Sequence, residues 1–412
     1  MAFGGITAAT PVTASPQESH VAGQILVKFR DDRAAAGVLR LHGLSDGPAI
    51  GSTGARLIKV PAGKELQVIS ALSRNPAVEY AEPDEVATAA TDDTYFDRQY
   101  ALFNVGQSFT STGEAVKVAG GAPDADVDAV EAWAVTRGGG TPVAIIDSGV
   151  AINHEDISQK VAARANFSDK VIRPGHPEDY DAYGHGTHVA GIVAAEHNSV
   201  GVAGVCPDCT ILDAKVLNDA GTGSSSGIAN GINWAVTSGA KVINMSLGQR
   251  VSNRTLEAAV NNAWNAGVVI VAAAGNGGTQ AKIYPGAYPN VIAVAATDNW
   301  DKKASFSTYG KWVDVAAPGV SVYSTFPFYP TVLSEQNNRA LGYDIASGTS
   351  MASPIVAAAA ALSWSSHGEA TNADVRESIE ATADDIGNNG TFWAHGRVNA
   401  YGAVTWVAAK GA

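Results

Sequence analysis

Four separate segments of the chain carry a polar side chain that could take part in nucleophilic chemistry. Asp147 ends the apolar run VAIID, His185 opens the helical pattern HGTHVAGIVAA, and Ser350 precedes the apolar pattern MASPIVAAAAAL. Asn276 follows the apolar run VVIVAAAG. A serine hydroxyl needs a base to become a good nucleophile, and imidazole is the base suited to neutral pH. A buried carboxylate can orient the imidazole and an amide can stabilise an oxyanion, so these four residue types suffice for acyl transfer.

The residues around Ser350 are small. Gly348 and Thr349 stand directly before it, and small residues let the chain turn sharply and let a second backbone come close. A helix that begins here directs its free N–H groups and the positive end of its dipole toward the serine. Ser350 could also be only the N-cap of that helix, since both interpretations need a helix start at this position.

Apolar segments alternate with amphipathic ones from Pro142 onward. Five of the apolar segments have strand character: VAIID, TILDAKVL, KVINMSL, VVIVAAAGN and VIAVAATD. Near-continuous apolar strands separated by helices predict an α/β fold with a parallel sheet covered by helices on both faces. Reactive groups in such folds gather at the carboxyl ends of the strands. Because Asp147 and Asn276 stand at those ends, the predicted sheet brings them to one edge.

Four motifs contain these residues, in chain order: VAIIDSGV, YGHGTHVAGIVAA, AAAGNGG and SGTSMASP. Together they resemble the subtilisin-like serine proteases, the subtilase family, and within that family the thermitase branch; the order Asp, His, Ser is the one found in subtilisin. The resemblance extends from Asp93 to about Val407. It implies a subtilisin-like fold and the hydrolysis of peptide bonds in proteins and peptides through an acyl-enzyme.

The resemblance assigns a role to each of the four polar residues. Ser350 is the expected nucleophile, His185 the base and later the acid, and Asp147 the carboxylate that orients the imidazole. Asn276 and the Ser350 backbone N–H are expected to form the oxyanion hole. The implied substrate-binding residues, two backbone edges and a pocket wall, are Gly221, Thr222, Gly223, Ser246, Leu247, Gly248, Ala273, Ala274 and Gly275. Their small or apolar side chains predict a bulky apolar residue before the scissile bond, and Gln249, where the family has glycine, is expected to crowd or polarise the rim.

A structural Ca²⁺ ion is the cofactor that the resemblance implies. The family's loop that matches VAAEHNSVGVAGV wraps such an ion with one asparagine side chain and several carbonyls, and flexible oxygen-rich coordination suits calcium. The matching ligands in this chain are Asp93, Asp156, Glu196, Asn198, Val200 and Val202. Asn198 could instead be only a helix C-cap.

The chain is expected to have four parts. These are a leader at 1–22, an inhibitor-like prodomain at 23–85, a processing linker at 86–94 and the catalytic domain at 95–412. QILVKF, ARLIKV and VEYAE predict prodomain strands and GKELQVISALSRN a helix, which fits a small α+β, ferredoxin-like unit. By the resemblance, this prodomain assists folding and then inhibits its own enzyme, and self-cleavage falls within Val86–Asp93.

Charge and hydropathy limit the possible partners. The formal net charge of −13 and the pI of about 5.1 argue against nucleic acid and anionic membranes. The longest apolar run, Met351–Trp364, is too short to span a bilayer and predicts a buried helix. We expect a secreted monomer that acts on protein and peptide substrates.

Alternatives to these assignments follow from the same residues. The chain could be a catalytically silent subtilase fold that binds peptides and is held closed by its N-terminal domain, although all four catalytic positions are intact. A dinucleotide-binding enzyme is excluded because no predicted strand is followed by G-x-G-x-x-G.

His188 lies three residues after His185 without an H-E-x-x-H pattern, which favours a buried structural histidine over a metal pair. Cys206 and Cys209 form either a short-loop disulfide or two free buried thiols.

Overall fold

The computed structural model describes residues 20–51, 53–61, 63–85, 93–169 and 181–407. The chain forms two compact units, Met1–Thr88 and Ala89–Ala412. Most of the predicted linker, and with it nearly all of the predicted self-cleavage range, lies outside the described residues, as does the predicted leader before His20.

The first unit is a small antiparallel sheet with helices. Its described elements are β1 His20–Phe29, α1 Asp32–Leu41, β2 Ala55–Lys59, α2 Glu65–Leu72 and β3 Val78–Glu85. β1 lies in the middle of the sheet and pairs antiparallel with both β2 and β3. Ile25, Val27 and Phe29 of β1 form a core with Leu39 of α1 and Leu72 of α2.

The α+β character predicted for this unit is confirmed, with two differences. Continuous apolar runs, on which the prediction depends, do not predict α1, because its buried residues Ala35, Val38 and Leu39 lie at helical spacing between other residues. Asp31 caps α1 by accepting a hydrogen bond from the Arg33 N–H at 3.0 Å. A ferredoxin-like sheet has four strands, whereas the described residues of this unit form three.

The second unit alternates strands and helices along most of its length. In chain order its strands and α-helices are β4 Phe109–Thr110, β5 Lys117–Val118, α3 Ala129–Trp133, β6 Pro142–Asp147, β7 Val161–Asn166, α4 His185–Ala194, β8 Thr210–Lys215, α5 Ser225–Thr237, β9 Val242–Met245, α6 Arg254–Asn265, β10 Val269–Ala273, β11 Ile292–Thr297, β12 Val315–Pro318, β13 Val322–Thr325, α7 Val332–Asn337, β14 Tyr343–Ala346, α8 Thr349–Ser366, α9 Asn372–Ala381, β15 Gly396–Arg397 and α10 Ala400–Thr405.

Eight strands of this unit form one sheet in the order β15-β12-β11-β10-β9-β6-β8-β7, and each pairing is parallel. β6 is a central strand, with β8 on one side and β9 on the other. β8 and β9, which follow one another along the sheet-forming chain, therefore lie on opposite sides of β6. Where the strand order reverses in this way, a parallel sheet opens a crevice at its carboxyl edge. The predicted parallel α/β fold is confirmed.

Alternate residues of the central strands face two separate cores. On β6, Val143 and Ile145 belong to the core that contains α4 and α8, whereas Ala144 and Ile146 belong to the core that contains α5 and α6. Side chains alternate across a strand, so burial on both faces needs an apolar residue at every position. This double burial explains why the strands are nearly continuous apolar runs in the sequence.

α8 is buried along most of its length. Every residue from Ala357 to Leu362 is 0% exposed, and a helix that is apolar on all sides needs such surroundings. The buried helix predicted from the run Met351–Trp364 is therefore confirmed. None of the helices in the described ranges has both the length and the apolar character needed to cross a bilayer.

Candidate active site

Asp147 and His185 meet at the carboxyl edge of the sheet. Asp147 is the fully buried last residue of β6, and His185 is the first residue of α4. The Nδ1 of His185 lies 2.8 Å from Asp147 Oδ1, which also accepts from the Ser148 N–H at 2.7 Å. Burial lowers the pKa of His185, but the charge and the hydrogen bond of Asp147 outweigh it, so this pKa is raised above its ordinary value.

The buried carboxylate of Asp181 ties the segment around His185 to the residue that follows β6. Its Oδ1 accepts from the Ser148 hydroxyl at 2.9 Å and from the Gly184 N–H at 2.8 Å. Its Oδ2 accepts from the N–H and the hydroxyl of Thr187 at 2.9 and 2.6 Å. One carboxylate therefore fixes the backbone on both sides of His185, and burial raises the pKa of Asp181 despite these bonds.

Ser350 is the second residue of α8. Gly348 occupies the cap position and the helix begins at Thr349, so the N-cap interpretation of Ser350 is wrong. The Ser350 hydroxyl donates to the Ser246 carbonyl at 3.1 Å, and the Ser246 hydroxyl donates to the Ser350 carbonyl at 2.8 Å. Ser350 and His185 line the same cleft but share no hydrogen bond among the described contacts; such bonds are often long before substrate binds.

Asn276 is oriented by the first residue of α8. Its Oδ1 accepts from the Thr349 N–H at 2.9 Å and from the Thr349 hydroxyl at 3.0 Å. A Cβ placed on Gly348 would lie 3.3 Å from Asn276 Nδ2, so glycine keeps the space beside that donor open. The Nδ2 group and the first free N–H groups of α8 can therefore donate to a common oxygen.

A cleft of about 860 Å³ joins these residues, and His185, Asn276 and Ser350 line it. Most of the residues predicted to bind substrate also line it: Gly221, Thr222, Gly223, Ser246, Leu247, Gly248, Ala273 and Gly275. Ala274 does not line the cleft; it is fully buried and packs in a separate core with Trp393. Neighbouring residues of an extended segment face opposite sides, so the Ala274 side chain points away from the cleft and only its backbone could contribute to the predicted pocket wall.

Ile283 packs against Gly248 and Gly275, two of the residues predicted to bind substrate. A Cβ on Gly248 would lie 2.4 Å from Ile283 Cγ2, and a Cβ on Gly275 would lie 2.9 Å from Ile283 Cγ1. The Ile283 side chain therefore contacts both glycines, and it also lines the cleft. Gln249 also lines the cleft, and its side-chain carbonyl accepts from the Ser225 hydroxyl at 2.9 Å.

The residues expected to bind calcium lie together in the second unit. Asp93 Oδ1 accepts from the N–H groups of Asn198 and Ser199, both at 2.9 Å. Asp156 is fully buried, and its Oδ2 accepts from the Val202 N–H at 2.9 Å. Its Oδ1 is buried without a hydrogen-bond partner in the described part of the chain. Burial, together with nearby acidic groups, raises the pKa of Asp156 to about 8.

A buried carboxylate oxygen without a donor is a favourable position for a cation. Asn198 Oδ1 accepts from the Val200 N–H at 2.9 Å, and the Glu196 N–H donates to the Asp156 carbonyl at 3.0 Å. The C-cap of α4 is Ala195, so the C-cap interpretation of Asn198 is wrong. The described residues contain no metal-binding group of three or more His, Cys, Asp or Glu side chains; the expected calcium ligands are mainly amide and carbonyl oxygens.

His188 and the two cysteines have structural positions. His188 is fully buried, with Nε2 3.3 Å from the Asp344 carbonyl and its ring edge-on to Phe326. Cys206 and Cys209 are joined in a disulfide just before β8, so the free-thiol alternative is wrong.

Three residues of the site are missed by the sequence motifs. Asp181 precedes the His185 motif, and Ile283 lies in the irregular segment between β10 and β11. Arg339 lines the cleft from the long connection between β13 and β14. The unusual length of that connection, visible in the sequence, is the one signal that could direct attention to Arg339.

Comparison with known proteins agrees with this geometry. The model of the subtilase family matches residues 138–398, and the model of the fervidolysin N-terminal prodomain matches residues 6–84. The thermophilic serine proteinase of Bacillus sp. (strain AK1) is 41% identical over 395 residues, which cover 94% of this chain and 88% of the relative. Thermitase of Thermoactinomyces vulgaris is 49% identical over 281 residues, which cover 68% of this chain and 94% of thermitase.

A solved structure shares the fold. It belongs to the proteases from Pseudoalteromonas arctica PAMC 21717 and matches with a TM-score of 0.65 and 28% identity, covering 77% of this chain and 99% of the other. Family, fold and prodomain agree, as the motifs predict. The chain belongs to the subtilase family, as a thermitase-like serine endopeptidase that carries an N-terminal prodomain.

Proposed function

We propose that the enzyme cleaves internal peptide bonds with Ser350 as nucleophile, His185 as general base and acid, and Asp147 as the carboxylate that orients the imidazole. The observation that carries this proposal is the 2.8 Å contact between His185 Nδ1 and Asp147 Oδ1 in the cleft that Ser350 lines. With Nδ1–H donated to Asp147, the neutral imidazole presents Nε2 as its acceptor.

The bonds made and broken follow from these positions. His185 Nε2 takes the proton of the Ser350 hydroxyl as Oγ bonds to the substrate carbonyl carbon. The carbonyl electrons move to oxygen, which Asn276 Nδ2–H and the Ser350 N–H stabilise. His185 then gives its proton to the amide nitrogen as the C–N bond breaks, and the acyl-enzyme remains. Water then attacks the acyl carbon while His185 takes its proton. His185 returns this proton to Ser350 Oγ as the ester bond breaks, which releases the acid and restores the Ser350 hydroxyl.

The residue before the scissile bond is expected to be apolar. Gly248 and Gly275 form the walls of its pocket, and an extended substrate can pair with the backbone edges at 221–223 and 246–248. Since Ile283 packs against both walls, the preference is for apolar side chains of aliphatic size rather than for large rings. This refines the expected preference for bulky apolar residues.

The N-terminal prodomain supports synthesis as a zymogen that is secreted and processes itself. We place self-cleavage within Val86–Asp93, after which the prodomain acts as an inhibitor. Ser350→Ala is expected to retain its N-terminal segment, whereas the unmodified chain loses about 9 kDa, since 412 residues weigh 42.1 kDa. Equal shortening of both proteins would contradict self-processing.

A calcium ion is the proposed structural cofactor. Asp93, Asp156 and the Asn198 amide oxygen would hold it with the carbonyls of Glu196, Val200 and Val202, and its charge would compensate the buried Asp156 carboxylate. We expect Ca²⁺ at 100 times its Kd to stabilise the fold by about 2.7 kcal/mol, measured by thermal unfolding. Mg²⁺ is the control, because it prefers a tighter octahedral shell, and Asn198→Ala should reduce the calcium effect. An unfolding temperature that EDTA and Ca²⁺ leave unchanged would contradict the site.

The catalytic roles are tested with a fluorophosphonate probe and peptide mapping. We expect the label on Ser350 and its loss in His185→Ala. Ser366→Ala, which removes a serine at the far end of the same helix, is the matched control and should keep the label on Ser350. A label at another residue would overturn the assigned roles, and a folded protein that takes no label would indicate a catalytically silent subtilase fold.

A further inference from the structure

An extended connection forms one wall of the cleft. β13 and β14 pair antiparallel, with Thr325 opposite Tyr343, and residues 326–342 connect them. We call this segment the hairpin extension. Hairpin loops usually have two to five residues, and long connections in compact domains tend to have a function. The extension contains α7, whose Thr331 cap and Ser334 make reciprocal bonds.

The hairpin extension is fixed against the segment that carries His185. The N–H groups of Val332 and Leu333 each donate at 3.1 Å, to the carbonyls of Ala182 and Tyr183 respectively. Immediately before His185, a Cβ on Gly184 would lie 2.5 Å from Thr331 Oγ1. The extension is therefore a packed wall that begins beside the catalytic histidine.

Arg339 brings a positive charge from this wall into the cleft. Its backbone N–H donates to the Ser334 carbonyl at 2.9 Å, which fixes the position of the residue in the extension. Its side chain lines the cleft, and its Nη1 is buried without a hydrogen-bond partner in the described part of the chain. A guanidinium nitrogen withdrawn from water without an acceptor is unfavourable, so Arg339 keeps an unused donor within the described part of the chain.

The charge of the cleft differs in sign from that of the whole chain. The chain has a formal net charge of −13. The described residues that line the cleft include Arg250 and Arg339 but neither aspartate nor glutamate. Among the described lining residues, a bound peptide would therefore meet positive side chains without competing carboxylates, which favours an acidic group in the ligand.

The two arginines line the cleft from different segments of the chain. Arg250 follows the edge at 246–248, which belongs to the pocket for the acyl part of the substrate. Arg339 belongs to the hairpin extension, whose Val332 and Leu333 contact the segment just before His185. Because His185 must pass a proton to the leaving amine, a leaving peptide beside it would meet the wall that carries Arg339.

We propose that Arg339 binds a carboxylate of the leaving peptide, within the first three residues after the scissile bond. This inference rests on the proposed serine endopeptidase function and adds a selectivity to it. Arg339 donates to the carboxylate through its guanidinium group, which suits bidentate binding of a carboxylate. The carboxylate belongs either to an acidic side chain or to the free C-terminus of a short leaving peptide.

The test uses the processed enzyme and quenched fluorescent peptides that share one sequence before the scissile bond. Glu, Gln or Lys is placed at the first, second or third position after it, each peptide with an amidated or a free C-terminus. For the preferred position we expect kcat/KM for Glu to exceed that for Gln about three- to tenfold, with Lys lowest. A preference for Glu assigns the contact to a side chain, and a preference only for the free terminus assigns it to the terminal carboxylate.

Arg339→Gln should bring the ratio of kcat/KM for Glu over Gln to about one, and Arg339→Lys should retain part of the preference for Glu. Arg250→Gln is the matched control, because it removes the other cleft arginine and should leave the ratio on the leaving side intact. Equal rates for Glu, Gln and Lys at all three positions and for both termini would overturn the proposal, as would an unchanged ratio in Arg339→Gln. Failure of the serine protease function itself would appear differently, as the absence of cleavage of every peptide.

Discussion

The two sides of the cleft are built in different ways. The acyl side consists of strand ends and short turns, in which Gly248 and Gly275 are packed against Ile283. The leaving side consists of the hairpin extension, a long connection that contributes Arg339. The comparison suggests that strand ends and helix starts position the chemistry and the pocket, while an added connection adjusts the choice of substrate. Variants on each side of the cleft can show whether these two parts act independently.

Asp147→Asn is expected to have the largest effect. The amide cannot stabilise the imidazolium or hold its tautomer, so kcat should fall by about 10⁴. The charge of Asp147 raises the pKa of His185, and the base must be neutral to act. In the variant the acid limb of the kcat/KM profile should therefore move to lower pH, as measured by pH–rate profiles of the residual activity. A limb at unchanged or higher pH would contradict the assignment.

Asn276→Leu should cost about 10²–10³ in kcat, because it removes an oxyanion donor from the acyl side. Thr349→Val is the matched control: it removes the hydroxyl that binds Asn276 Oδ1 at 3.0 Å but keeps the Nδ2 donor. We expect its loss in kcat to be at least tenfold smaller. Steady-state kinetics on one peptide measure both variants, and equal losses would show that Asn276 acts only through Thr349.

Asp181→Asn should lower kcat about tenfold with little change in KM, because Asp181 positions the segment around His185 without touching the substrate. Asp213→Asn is the control: this carboxylate is also buried, but it binds Arg164 at 2.7 Å and the Val150 N–H at 3.1 Å. If both variants lose stability equally and only Asp181→Asn shifts the pH–rate profile, the role is positioning. A similar kinetic loss in both would make the effect one of general destabilisation.

Ile283→Ala is expected to have the smallest effect on total activity and to change preference on the acyl side only. Opening the space between the pocket walls should shift the ratio of kcat/KM for Phe over Leu before the scissile bond about three- to tenfold toward Phe. The Glu over Gln ratio on the leaving side should stay the same if the two sides are independent. A change in both ratios would show that they are coupled.

The sequence predicts the parts of the molecule that obey local rules. Apolar runs predict the strands of the central sheet because each strand is buried on both faces, and the four motifs place Asp147, His185, Asn276 and Ser350. Contacts that depend on packing are not predictable in this way. The direction of the Ala274 side chain depends on the local alternation of faces. The role of Ile283 depends on its contacts with Gly248, more than thirty positions away in the sequence, and with Gly275, fewer than ten positions away.

The same limit applies to Asp181 and Arg339. Asp181 is distinguished from other acidic residues by four donors that surround it only after folding. Among the described residues, Arg339 combines a place in the cleft lining with a buried Nη1 that has no acceptor. Neither environment leaves a pattern in residue spacing, because the donors and the missing acceptor come from tertiary packing.

The cleft lining without described carboxylates, on a chain of net charge −13, has a consequence for how ionic strength affects catalysis. At distances beyond the Debye length, about 8 Å at 0.15 M salt, the whole molecule repels an acidic peptide and slows its diffusional encounter. Within a few ångströms of Arg339 the same peptide is attracted, and partly buried pairs are screened much less. Added salt should therefore speed the encounter of acidic peptides with the enzyme. The same salt should weaken the preference for acidic over neutral peptides only slightly.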